Sequence, residues 1–228
     1  IVLPNSSPQG MEKYLTDNLA IDITFDLVLK EELLRAELIS APLTILILLF
    51  VFGTVVSASL PALSGIYTVI AAVGIIHGLT YVVDDLTVYA VNIVSLLGIG
   101  LSVDYSLFIV NRFREELGRG HDKRTAIAMT SATAGRAILF SGLTVIAGLT
   151  GMLFFENTGL PSLGWGGICA TLVALTSSVI LLPSILAILG DRINSGRVPL
   201  GLSTEVADDG FWSDLAKRVM SKPLSFLV

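Results

Sequence analysis

Val88-Tyr89-Ala90-Val91-Asn92-Ile93-Val94-Ser95-Leu96-Leu97-Gly98-Ile99-Gly100-Leu101-Ser102-Val103-Asp104-Tyr105-Ser106-Leu107-Phe108-Ile109-Val110 is an almost unbroken apolar run holding a single carboxylate, Asp104. A bilayer span takes about 20 mostly apolar residues, so this stretch reads as a membrane helix. Inside lipid every backbone N–H and C=O must be satisfied within the segment, which leaves helices or closed barrels. Barrel strands would alternate over short stretches, and this run does not. The expected fold is an all-α membrane protein.

Four more apolar runs flank this one, at about 39–58, 60–83, 136–155 and 162–189, with 88–111 as the third of five. Only Ser57-Ala58-Ser59-Leu60-Pro61 separates the first two, and Pro61 suits the first turn of a new helix, where its missing N–H is not needed. The chain is 14% charged and 53% hydrophobic, against about 25% charged in soluble domains. Mean hydropathy is +0.81. The lone Cys169 sits in an apolar run and excludes an internal disulfide.

Lys and Arg set the expected topology. The 112–136 segment carries Arg112, Arg114, Arg119, Lys123, Arg124 and Arg136; the 190–222 segment carries Arg192, Arg197, Lys217, Arg218 and Lys222. The 84–87 and 156–161 loops carry Asp84, Asp85 and Glu156 and no Lys or Arg. Basic segments stay cytoplasmic, so the N-terminus is expected outside and the spans alternate without conflict. Residues 1–38 read as the edge of an exterior domain with a lead-in helix, 39–190 as the bundle, and 191–228 as a cytoplasmic linker. Within that linker, Phe211, Trp212, Leu215, Val219 and Met220 form an interfacial amphipathic helix. Pro223 to Val228 read as the start of a sixth span. Ile1-Val2-Leu3 reads as the interior of a longer polypeptide.

Asp104 is the candidate for chemistry. Seven residues separate it from Arg112, placing it roughly 10 Å from the basic edge at 1.5 Å per residue. A carboxylate at that depth costs about 2.5–3.5 kcal/mol on insertion scales and marks an ion or proton path by default. The competing reading is a structural hydrogen-bonding group or the lining of a wet crevice. Gly100, one turn away on the same face, leaves room for a close partner helix. Tyr105 is rotated by about 100°, so the two side chains should find partners on different elements. Asp104 itself is expected to face the bundle interior. His77 with Asp84-Asp85 reads as an interfacial hydrogen-bonded cluster, and Gly166, Ala170, Ala174 and Ser178 as an ordinary small-residue packing ridge. Phosphate loops, zinc spacings and nucleophile elbows are missing, and Gly98-Ile99-Gly100 falls inside a span. No enzyme activity, cofactor, metal or nucleic-acid partner is expected.

Gly98-Ile99-Gly100-Leu101-Ser102-Val103-Asp104-Tyr105-Ser106-Leu107-Phe108 through Asn111-Arg112-Phe113-Arg114-Glu115-Glu116-Leu117 resembles the fourth membrane helix and following loop of the MmpL (mycobacterial membrane protein large) transporters. These belong to the resistance-nodulation-division superfamily. Ala36 to Ala58 is similar to their second helix, Ala134-Gly135-Arg136 with Ser141-Gly142-Leu143-Thr144 to the entry of the fifth, and Phe211 to Pro223 to the lead-in of the seventh. The resemblance covers nearly everything from residue 30 onward. It implies spans two to six and the start of seven of a twelve-span, proton-driven exporter of lipids or other hydrophobic molecules in a bacterial inner membrane. It further implies a proton relay at Asp104 and Tyr105, supported by Gly100, Ser102 and Ser141. A matching Asp-Tyr pair would come from a second half or another subunit. Two other readings stay open: a sterol-sensing-like lipid-binding membrane module, and a structural subunit of a larger membrane complex.

Overall fold

The computed structural model describes residues 18–83, 86–155, 159–197 and 217–221. Among them the structure is helical, with one isolated antiparallel bridge, Thr54 to Arg197. Helix α1 (Asn18–Phe52) is followed by α2 (Val55–Leu79), α3 (Val88–Gly118) and α4 (Lys123–Thr130). A π-turn (Ser131–Gly135) joins α4 to α5 (Arg136–Thr150), which ends in a 3-10 turn (Gly151–Phe154). Helix α6 (Leu160–Thr176) continues through a second π-turn (Ser177–Leu181) into α7 (Leu182–Leu189) and a final 3-10 turn (Gly190–Asn194). Residues 1–47 and 48–228 form two compact units, and the helical bundle is the second.

Four described stretches are long and apolar enough to cross a bilayer: Val55–Leu79, Val88–Gly118, Lys123–Phe154 and Leu160–Asn194. Leu38–Phe52 is a shorter apolar helix. The outer faces of the bundle carry large apolar side chains such as Leu63, Ile66, Ile70, Phe140 and Ile180, each at least half exposed. A soluble protein rarely exposes so much apolar surface, whereas lipid accommodates it. Two adjoining cores fill the interior, one around Phe52, Tyr105, Ile109, Phe113, Leu182, Leu186 and Ile193, the other around Ala72, Ala90, Val94, Ala170 and Val173.

Small residues set how close the helices come. A Cβ at Gly166 would lie 2.5 Å from the Ala90 carbonyl oxygen, and one at Gly98 would lie 3.6 Å from the Ala170 Cβ. The ridge expected from spacing therefore packs α6 onto α3, with Ala170, Ala174 and Ser178 fully buried. On the other side, a Cβ at Gly65 of α2 would sit 3.7 Å from Ile99 and Val103. Helix α3 thus lies between α2 and α6.

Two boundaries differ from the sequence reading. The first two runs part at Gly53-Thr54 instead of 57–61, because Gly53 takes φ +64, a conformation that ends the helix there. Pro61 consequently sits inside α2, seven residues in, and not in its first turn. The 112–136 segment is mostly helix: α3 runs on to Gly118, and only 119–122 turns before α4 begins. Its charges explain this, since Arg112, Glu115, Glu116 and Arg119 pair at i,i+3 and i,i+4 spacing, and Asp122 caps α4 by accepting from Arg124 N. Finally, Pro183 does not break the last helix. Proline has no N–H for the carbonyl four residues back and crowds it; the widened π-turn at Ser177–Leu181 lies immediately before and absorbs the misfit.

Helix α1 begins at Asn18 and runs without a break to Phe52. Asp84, Asp85, Phe211, Trp212, Leu215 and 223–228 lie outside the described residues; 217–221 is helical.

Candidate functional site

Asp104 lies on α3 at the middle of a stripe formed by Leu96, Gly100, Asp104 and Phe108, successive i+4 positions that are all exposed. A Cβ at Gly100 would meet nothing within 4 Å. The described residues leave this stripe uncovered, and none of them hydrogen-bonds or ion-pairs with Asp104. Tyr105 points the other way: it is 7% exposed and packs in the core with Ile109, Phe113 and Leu182. Its hydroxyl is buried without a hydrogen-bond partner among the described residues. Asp104 and Tyr105, adjacent in sequence, therefore serve two different surfaces of one helix, as the 100° rotation requires.

Ser102, two residues earlier, faces α2 and is fully buried. There it belongs to a chain of hydroxyls that crosses three elements. Thr68 Oγ1 donates to Ser102 Oγ at 3.0 Å, and Ser102 Oγ donates to Ser64 Oγ at 3.0 Å. Ser64 Oγ in turn lies 2.8 Å from Ser177 Oγ at the start of the second π-turn. Ser106 and Ser178 add two further buried hydroxyls without partners among the described residues. Buried polar atoms are nearly always paired, so these hydroxyls mark polar volume within an apolar bundle. A groove of about 240 Å³ opens beside the end of the chain, lined by Leu60, Leu63, Ser64, Tyr67, Ser177 and Leu182 among others. Ser141 lies exposed on α5, beside Gly142, into whose missing side chain Leu175 of α6 packs. Of the candidate residues, then, Gly100 and Asp104 share one face, Tyr105 and Ser102 turn into the core, and Ser141 stands on a separate helix.

Sequence reasoning missed most of the hydroxyl chain. The available signal was Ser64 and Thr68 at i,i+4 in an apolar run, opposite Ser102 and Ser106 at the same spacing; hydroxyls so placed in a membrane helix usually bond across to a neighbour. It also missed Glu116, which is fully buried at the end of α3. Glu116 pairs with Arg112, with Arg119 Nη1 at 2.9 Å, and approaches His121 Nδ1 at 3.0 Å without hydrogen-bond alignment. His77 stands edge-on to Tyr81 with ring centroids 5.9 Å apart.

Arg114 of α3 bonds Asn194, and Gly190 abuts Lys123, so the basic segments share one end of this unit. At the other end Thr87 N donates to Ser162 Oγ at 2.8 Å, joining the start of α3 to the first turn of α6.

These features define a multi-pass helical membrane protein with one carboxylate at mid-span depth and a buried hydroxyl chain behind it. The sequence profile of the MMPL family matches residues 4–226, nearly the whole chain, and the chain belongs to that family. It is 35% identical over 223 residues to the mycolic acid-containing lipids exporter MmpL11 of Mycolicibacterium smegmatis, a match covering 96% of this chain and 23% of that protein. It is 34% identical over 218 residues to the trehalose monomycolate exporter MmpL3 of Mycobacterium tuberculosis, covering 84% of this chain and 23% of that protein. It is 40% identical over 164 residues to the putative membrane protein SCO6666 of Streptomyces coelicolor, covering 72% of this chain and 23% of that protein. The chain thus spans under a quarter of the length of the curated relatives it matches.

Proposed function

We propose that this chain forms part of an exporter of lipids or other hydrophobic molecules in a bacterial inner membrane, driven by proton entry, with Asp104 as the group that loads and releases the proton. The observation that carries the reading is the uncovered Gly100–Asp104 stripe on α3. A lipid-facing carboxylate is too costly to keep without use, and the open Gly100 admits another helix to close approach. The natural occupant is a helix bearing a second Asp-Tyr pair, from the remainder of a longer polypeptide or from another subunit. Relatives named as lipid exporters support the substrate class. In this reading the basic end of the bundle is cytoplasmic, the start of the chain is exterior, and Tyr105 and the hydroxyl chain hold the Asp104 helix in place from behind.

The test is transport by the full-length protein in vesicles with an imposed pH gradient. Asp104→Asn keeps size and hydrogen bonding but cannot release a proton, so export should fall to background while membrane expression holds. The driving force at stake is about 2.3 kcal/mol per charge per 100 mV. Tyr105→Phe should reduce export less completely, since the phenol need not ionise. Wild-type export by Asp104→Asn would return Asp104 to a structural role.

A further inference from the structure

We infer that Arg114 is a positioning residue that ties the basic end of the Asp104 helix to the α1–α2 turn and to the 3-10 turn after α7, so that a shift of α3 is passed to both. The inference rests on the proposed role of Asp104. Arg114 lies ten residues beyond Asp104 on the same unbroken helix, about 15 Å away at 1.5 Å per residue. A helix moves as a body, and a displacement at one point arrives at the other.

The contacts at Arg114 are directional. Its Nη1 donates to the Phe52 carbonyl oxygen at 2.9 Å, and its Nε donates to Asn194 Oδ1 at 3.0 Å. The guanidinium also stands over the Phe52 ring, 5.8 Å from its centroid. Phe52 is the last residue of α1 and only 1% exposed, so its carbonyl needs a donor at a helix end that has none of its own. Around this point the chain segments are tied by further bonds to backbone. Ser57 Oγ and Thr54 Oγ1 donate to the Ile193 carbonyl at 2.8 and 3.4 Å, and Val55 N donates to the Gly196 carbonyl at 3.0 Å. Gly196 holds φ +74, and a Cβ there would lie 3.2 Å from Val55. Elsewhere α3 is held to α2 by the Thr68–Ser102–Ser64 hydroxyls and otherwise meets α2 and α6 through apolar and small side chains, none of them charged. Here a forked cation grips a backbone carbonyl and a side-chain amide at once, and that fixes register.

The fork matters more than the charge. Arginine presents donors in a rigid plane that reaches two acceptors and stacks on a ring, while lysine offers a flexible point charge. Lysine at this position would keep the charge and lose the grip.

The experiment reads coupling without requiring a transported substrate. A reporter thiol is introduced by Ser195→Cys in the full-length protein, with the buried Cys169 replaced, and its rate of maleimide labelling is measured in vesicles. Asp104→Asn, a fixed neutral side chain, is expected to change that rate about five-fold with Arg114 present, the lower end of usual coupling strengths. With Arg114→Gln the same substitution should change it less than about two-fold. Arg114→Lys should behave like Arg114→Gln, and Asn194→Ala, which keeps Arg114 and removes one acceptor, should fall between. An Asp104→Asn effect that persists with Arg114→Gln, one that is restored by Lys, or no effect in either background overturns the inference. Export assays on Asp104→Asn judge the proposed function separately: lost export with undiminished coupling in Arg114→Gln would sink the tie alone.

Discussion

Glu116 shows how a charged residue can be buried at a membrane-protein end. Its carboxylate is fully enclosed and gathers Arg112 and Arg119. Arg112 and Arg119 are partly exposed and also pair with Glu115, so losing the Glu116 charge strands neither and costs on the order of 1 kcal/mol. Glu116→Gln is therefore expected to lower the thermal unfolding midpoint in detergent modestly, whereas His121→Ala should leave it nearly unchanged, because His121 is off the hydrogen-bond line. Asp122 gives a pH prediction of known sign. The Thr125 hydroxyl, and then the backbone N–H groups of the first turn of α4, hold its carboxyl below the usual carboxylate range. A lowered folded-state pKa means the cap contributes fully above the ordinary carboxylate pKa and is lost as pH falls through the lowered value. The protection of the Arg124 and Thr125 amides against exchange, taken relative to an unfolded chain at the same pH, should fall only in that acid window, and Asp122→Ala should show weak protection at every pH.

Among the elements, α6 against α3 is the contact that tolerates least. Gly166→Ala would place a methyl against the Ala90 backbone, which cannot step aside. Overpacking of this kind costs about 1–3 kcal/mol, while Gly74→Ala, with nothing within 4 Å, should be neutral or slightly stabilising. Detergent-stability assays on the pair would separate packing from helix propensity. The ridge at Gly166, Ala170, Ala174 and Ser178 was legible in sequence because i+4 spacing survives translation into a helix face. The apolar runs were legible for the same reason, as was the divergence of Asp104 and Tyr105. The α1–α2 break was not: Gly53 and Pro61 both punctuate a chain, and only backbone geometry shows that the glycine turns while the proline is carried inside a helix. The hydroxyl chain was half legible. Spacing shows Ser64, Thr68 and Ser102 on helix faces, but which faces meet is set by how α2, α3 and α6 pack, which hydropathy does not record. Arg114 was hidden among six basic residues whose sum indicates sidedness and whose individual bonds do not.

For the whole molecule the decisive prediction is sidedness. Tyr81 stands exposed at the acidic end and Ser195 exposed at the basic end, and the native Cys169 is buried. In sealed cells an impermeant maleimide should modify Tyr81→Cys and spare Ser195→Cys until the membrane is opened; the reverse pattern would invert the topology. The second π-turn carries a different consequence for the same molecule. It winds one more residue into a turn than an α-helix holds, so it acts as a stored insertion. Deleting a single residue between Val179 and Leu181 would let the helix close into regular α geometry with Leu182, Leu186 and Ile193 still turned to the core, whereas the same deletion in a regular α-helix would rotate everything beyond it by about 100°. A one-residue deletion at 177–181 should therefore leave the protein folded, while one in the middle of α6, at Val173, should not. A relative one residue shorter at this point is compatible with the same bundle, and chimaeras joined across residues 177–181 should fold whether or not both parents carry the extra residue.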